Sequence, residues 1–307
     1  MFLKVIFPVF IVILVSYLFS KFKKVDPFNL SVLSMYILTP GLILRSFDMY
    51  GNFLLSNSFK SIVHLGLEIS AMYFISIILA NALKLSSRSK YAFILLSFLP
   101  NTGNIGIPVC EYYLGTQGSS FATLILVITS IVSQTYGVYL ASKGKINSGD
   151  SIVDLKNAFI NILSLPLIYV VLVSIIMPIF SIKLPFYLRD PIYNIGISAL
   201  IIGLIQLGIV LGKVRLSFVP LRFVIFVVVL KLVVSPIISL GIGYFLGFRN
   251  VELKVLVLQY GMPSALYCSI LANFFNLLPR TVGVSVLVST FLSAFTLYGI
   301  IELMELL

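Results

Sequence analysis

Apolar runs of about 20 residues, the length of helix that crosses a bilayer core, recur from one end of this 307-residue chain to the other. With 60% hydrophobic and only 10% charged residues, no stretch is polar enough for a separate soluble domain. The pattern predicts an all-α integral membrane protein with ten transmembrane helices. They fall over Phe2–Ser20, Asn29–Phe47, Phe59–Leu83, Lys90–Leu114, Ser119–Ser142, Asn157–Phe180, Pro191–Gly212, Phe218–Gly247, Val251–Asn276 and Arg280–Leu303. The first lacks an Ala-x-Ala cleavage site and reads as a retained helix rather than a signal peptide. Linkers are short. The longest polar one, residues 143–156, divides the chain into 1–142 and 157–307, each with five spans.

A net charge of +11 would suit nucleic acid, but no basic cluster stands beside a polar domain. The lysines and arginines read instead as topology signals in short loops. With the N-terminus outside, thirteen of the 21 fall on the inner side, Lys21, Lys23, Lys24, Arg88 and Lys143 among them. Seven fall outside: Lys4, Arg45, Lys60, Lys183, Arg189, Arg249 and Lys254. Lys231 is left mid-span. This bias places both termini outside and the 143–156 linker in the cytoplasm. Five spans on either side of that linker then enter from opposite faces, as two inverted repeats do. Cys110 and Cys268 have neither metal-ligand spacing nor a disulfide framework and read as small packing residues.

The fourth span is interrupted by Leu99-Pro100-Asn101-Thr102-Gly103-Asn104-Ile105-Gly106-Ile107-Pro108. Pro100 and Pro108 remove backbone donors and clash with the preceding turn, while Gly103 and Gly106 loosen the backbone. Lipid cannot satisfy the freed carbonyls, so the break belongs in the interior or against a wet cavity, where it can hold a ligand. An inverted repeat requires a counterpart in the ninth span. Gln259-Tyr260-Gly261-Met262-Pro263-Ser264-Ala265 supplies one, with Gly261 and Pro263 as its breakers.

Leu99-Pro100-Asn101-Thr102 followed by Gly106-Ile107-Pro108 resembles the fourth-span signature of the auxin efflux carrier family, and Gly103-Asn104-Ile105-Gly106 is similar to the form in its prokaryotic members. Met262-Pro263-Ser264 resembles the ninth-span motif of that family. Ile37-Leu38-Thr39-Pro40 resembles its second span, and Val288-Ser289-Thr290-Phe291-Leu292-Ser293 its last. The resemblance covers nearly the whole chain. It implies the fold shared with bile-acid symporters and sodium–proton exchangers, in which broken fourth and ninth helices cross. It also implies efflux or exchange of a small organic anion. The linker here is shorter than the cytoplasmic loop of many plant members, so regulation through that loop does not carry over.

Asn101, Thr102 and Asn104 stand where the second half of the fourth helix begins. The free N–H groups and dipole of a half-helix suit a carboxylate, and asparagine adds a neutral donor and acceptor. The same side chains can also cap the helix. Gln259, Tyr260 and Ser264 are the ninth-span candidates for substrate contact, with helix packing as the plainer use. Glu68 lies mid-span, four residues after His64 and on the same helix face, where an ionisable group is costly and is usually paired or functional. Lys231 is too deep in the eighth span for easy snorkelling. Glu68 and Lys231 therefore read as a buried ion pair, or, with His64, as coupling groups for a sodium ion or proton. Gln134 and Gln206 read as helix–helix hydrogen-bonding residues.

The function expected is secondary transport of a small carboxylate by alternating access, with the bilayer and a second copy of the chain as further partners. The alternatives are an uncoupled, channel-like facilitator and a membrane enzyme using His64 and Glu68. The enzyme is a poor reading: there is one histidine in the chain, no metal-ligand pair and no Gly-x-Ser-x-Gly elbow. No cofactor is expected.

Overall fold

The computed structural model describes residues 1–144, 166–214 and 219–306. Most of the 143–156 linker, the start of the sixth span, and Lys145, Asn147, Lys156 and Arg215 lie outside the described residues.

Described residues fold into helices, with no strand among them. A π-helical turn, Phe2–Ile6, leads into α1 (Phe7–Phe22). Helix α2 (Pro27–Leu33) starts under Asp26, whose Oδ1 accepts from Phe28 N at 3.0 Å, with proline at the first position. Asp26 supplies the acceptor that an exposed N-terminus needs, and Pro27 gives up a donor with no helical partner. A second π-helical turn, Ser34–Leu38, leads into α3 (Thr39–Ala82). Then come α4 (Ser87–Phe98), α5 (Ile107–Val132) and α6 (Val138–Gly144), with π-helical turns at Thr102–Gly106 and Ser133–Gly137. After the gap follow α7 (Pro166–Ile179), α8 (Phe186–Gly212) and α9 (Leu221–Val229). A π-helical turn over Leu230–Val234 precedes α10 (Ser235–Phe245), and α11 (Asn250–Tyr260), α12 (Leu266–Phe274) and α13 (Pro279–Leu306) complete the chain.

Six continuous helical runs among the described residues are long and apolar enough to cross a membrane. Two of them, Pro27–Ala82 with 56 residues and Thr102–Gly144 with 43, are each long enough for two crossings. The loop expected between the second and third spans is helical instead, with only a kink at Tyr50 (φ −130°, ψ 23°). Its polar residues, which read as a linker, bond back onto their own helix. Ser56 Oγ and Asn57 Nδ2 donate to Phe53 O, and Ser58 Oγ donates to Leu54 O. That local bonding hides their polarity from the backbone ladder. The second long run bends at Gly115, whose φ of 68° is open to glycine at little cost.

The described residues form two compact units. The first falls within Met1–Ile62, Gly103–Val127 and Leu163–Lys213, and the second within Val63–Thr102, Ile128–Ile162 and Val214–Leu307. In the first, α1 lies along α8. Gly208 and Gly212, spaced as in a Gly-x-x-x-Gly seam, face the Ile13 carbonyl and Ser16, and Ser20, respectively. A Cβ at Gly208 would strike that carbonyl, so glycine sets the distance of approach. Lys21 Nζ, over the Tyr17 ring, closes the end of α8 by donating to Gly212 O at 2.5 Å. Gln206 of α8 bonds Ser31 Oγ at 2.7 Å and Ser34 Oγ at 3.4 Å, the helix–helix use its mid-span position suggested. The second unit packs α10 on α11, α4 on α6 and α12 on α13 around a core that includes Phe93, Leu95, Leu256 and Leu258.

Candidate functional site: two paired helix breaks

Helix α4 ends at Phe98, and Leu99 turns to extended backbone (φ −83°, ψ 106°). Helix α11 ends at Tyr260, and Ala265 is extended before α12 (φ −63°, ψ 144°). The two extended pieces meet as an isolated antiparallel bridge between Pro100 and Ser264. Asn101 N donates to Pro263 O at 2.8 Å, and Ala265 N donates to Leu99 O at 2.9 Å. Each break thus supplies what the other lost, which is how non-helical backbone is tolerated at membrane depth. The pairing extends to the helix end: Ser264 Oγ donates to Leu96 O at 2.7 Å and Cys268 Sγ to Leu95 O at 3.5 Å. Cys268, expected only to pack, therefore caps a carbonyl as well.

Beside this bridge, Asn101 is 6% exposed and its Nδ2 is buried with no hydrogen-bond partner among the described residues. Such orphaned buried donors are uncommon and call for a functional or solvent-filled explanation. Thr102 Oγ1 lies 3.2 Å from Thr129 Oγ1. Gln259 and Tyr260 are buried at the end of α11, and the Tyr260 hydroxyl has no hydrogen-bond partner among the described residues. Pro100, Asn101, Thr102, Gln259, Tyr260, Gly261, Pro263 and Ser264 are thus gathered in the second unit. Gly103, Asn104, Gly106 and Pro108 fall in the first. There Gly203 of α8 leaves room for Asn104: a Cβ at Gly203 would stand 3.5 Å from its Oδ1.

The charged residues expected mid-membrane join the same unit. Glu68 and Lys231 are 2% and 0% exposed, but they are not in direct contact as the expected ion pair. Ser235, one helical turn after Lys231, stands between them. Lys231 Nζ donates to Ser235 Oγ at 3.2 Å, and that hydroxyl lies 2.8 Å from both Glu68 Oε1 and Tyr260 O. Lys231 Nζ also donates to Tyr260 O at 2.9 Å. Tyr260 O is one of the last carbonyls of α11, so the ammonium sits at the negative end of a half-helix, where a cation is favoured. Glu68 Oε2 is buried with no hydrogen-bond partner among the described residues. His64 is fully buried rather than solvated. Its Nε2 lies 3.1 Å from Ser239 O, which requires the proton on that nitrogen, and its ring packs 5.0 Å from that of Tyr260. Ser235 and Ser239 were not singled out from the sequence. The only signal for Ser235 is its place four residues after a lysine at membrane depth.

The family model described as Membrane transport protein matches residues 1–301. A protein named as an uncharacterized transporter in Methanocaldococcus jannaschii is 24% identical over 67% of this chain and 66% of its own length. Another so named in Methanothermobacter thermautotrophicus is 27% identical over 69% of this chain and 68% of its own. The alignments thus span about two thirds of each relative. A match over nearly the whole chain, carrying the signature motifs of both breaks, places this all-helical, multi-pass membrane protein in the membrane transport protein family, that of the auxin efflux carriers.

Proposed function

We propose that this membrane transporter carries a small organic anion by alternating access about the paired breaks. The observation that carries the proposal is the Asn101 amide, buried beside the Pro100–Ser264 bridge with a donor to spare. A neutral donor at the start of a half-helix binds a carboxylate without a fixed charge that must itself be desolvated. Thr102, Gln259 and Tyr260, in the same unit, complete the proposed site, and Ser264 fixes the backbone that frames it. The Ser264 hydroxyl already donates to Leu96 O and has only acceptor capacity left. The proposed frame is ten spans in two inverted five-helix repeats, residues 1–142 and 157–307, with both termini outside and the linker cytoplasmic. Pairing of a fourth-span break with a ninth-span break supports that frame. Glu68, Ser235 and Lys231, with His64 beside them, form the proposed coupling centre for a sodium ion or proton, because they end on the carbonyl of Tyr260 at the second break.

The test is a thermal-shift titration of the purified protein with acetate and succinate, with and without sodium, followed by uptake into proteoliposomes. Asn101→Ala should keep its fold and lose about ten- to a hundredfold in affinity, the effect of one or two hydrogen bonds to a charged ligand. Unchanged affinity in a folded Asn101→Ala, Ser264→Ala protein removes the breaks as the substrate site.

A further inference from the structure

Arg45 of α3, in the first unit, is 4% exposed, yet among described residues its guanidinium has a single ionic contact. Nη2 lies 3.5 Å from Glu111 Oε1, while Nε and Nη1 are buried with no hydrogen-bond partner. Asp48, one turn further on, has partners of its own. Its Oδ1 accepts from Leu184 N at 2.8 Å and its Oδ2 from Tyr193 OH at 2.7 Å. Arg189 Nε lies 3.4 Å from Oδ2, and Lys183 Nζ donates to the Asp48 carbonyl. Among the described residues Arg45 thus has Glu111 as its one ionic partner, while Asp48 pairs with Arg189 and lends its main-chain carbonyl to Lys183. Glu111 is poorly placed on its own helix. It lies in the last turn before the bend at Gly115, where the helix dipole disfavours a negative charge. Its Oε2 accepts from Ser119 Oγ, and its side chain is 25% exposed.

What Arg45 lacks is acceptors for the N–H groups of two of its nitrogens, and paired acceptor oxygens are what a carboxylate offers a guanidinium. We infer that Arg45 is a second anion site, at which Glu111 is a resident carboxylate that a soluble carboxylate displaces. Glu111 can leave because its side chain is partly exposed and meets Arg45 at only 3.5 Å; Arg45 cannot, being buried. The site's residues belong to the first unit, and the Pro100–Ser264 bridge to the second. Its use in transit rests on the transporter reading above, whereas its binding of a carboxylate does not.

The experiment uses the full-length protein carrying Asn101→Ala and Ser264→Ala, which silence the breaks, and reads melting temperature against succinate, acetate and chloride at matched ionic strength. Adding Glu111→Gln should lower the melting temperature. Succinate or acetate, but not chloride, should then restore it, with about ten- to a hundredfold tighter affinity than when Glu111 is present. Adding Arg45→Gln as well should abolish the restoration. Should the single variant not accumulate folded, the background with and without the neutral pair Arg45→Gln, Glu111→Gln gives the same comparison, since only the former should respond to succinate. Equal restoration by chloride, or restoration that survives loss of Arg45, overturns the inference. If the wild type binds succinate and the silenced background with Glu111→Gln does not, Arg45 fails and the breaks stand. The converse result sinks the breaks and leaves Arg45.

Discussion

In the second unit, a lysine and a glutamate are buried with a serine hydroxyl between them, and the last carbonyl of a broken helix takes up part of the lysine's demand. In the first, an equally hidden arginine meets its glutamate at 3.5 Å and, among the described residues, leaves two of its nitrogens without acceptors, although a second carboxylate lies one turn away. Burial is similar, so the difference lies in what else each neighbourhood offers. A helix break exposes carbonyls that can share a cation's hydrogen bonds. Beside Arg45 the carbonyl one turn on, that of Asp48, accepts from Lys183, and among the described residues no carbonyl meets Arg45 Nε or Nη1. A buried charge is settled where backbone or side-chain acceptors reach it, and a guanidinium left short of them keeps a demand that something mobile can meet.

The sharpest way to break this contrast is to remove the ammonium. Lys231→Met should destabilise by about 3–5 kcal/mol, leaving Glu68 buried and uncompensated, and adding Glu68→Gln should recover most of the loss in a melting experiment. A double variant that folds and still transports makes the pair structural. One that binds the anion but ignores sodium and proton gradients makes it the coupling centre. Asp48→Ala comes next, at about 1.5–3 kcal/mol, because it strips acceptors from Leu184 N and Tyr193 OH. A loss as large as that of Lys231→Met would erase the distinction between the units. Ser235→Ala should cost about 1–3 kcal/mol by exposing the lysine and glutamate to each other without their bridge. An unaltered melting temperature would mean the hydroxyl is incidental. The smallest effect is expected for Arg189→Gln, under about 1 kcal/mol, since its side chain is 46% exposed and solvent screens the contact with Asp48.

Both helix breaks were legible because proline and glycine announce themselves inside an apolar run, whatever surrounds them. Their partnership was legible only through the repeat, and the caps from Ser264 and Cys268 were not, since nothing local marks a side chain that serves another helix. The bend at Tyr50 carries no proline, and the polar run after it looked like a linker because bonding of Ser56, Asn57 and Ser58 to their own turns leaves no trace in composition. Glu68 and Lys231 stood out by their depth. Ser235 did not, because a serine in an apolar helix is ordinary until a charge is known to need it. Arg45 was read as one loop charge among seven, and only its geometry separates it from the rest.

The Pro100–Ser264 pairing also bears on the order in which the protein is made. The carbonyl of Leu96 waits for a hydroxyl 168 residues further along the chain, and Asn101 N waits for Pro263. During synthesis the first break must therefore sit at the membrane with its backbone incomplete until most of the chain has emerged. A nascent chain halted before α11 should be held by the insertion machinery or degraded, rather than released as a stable half.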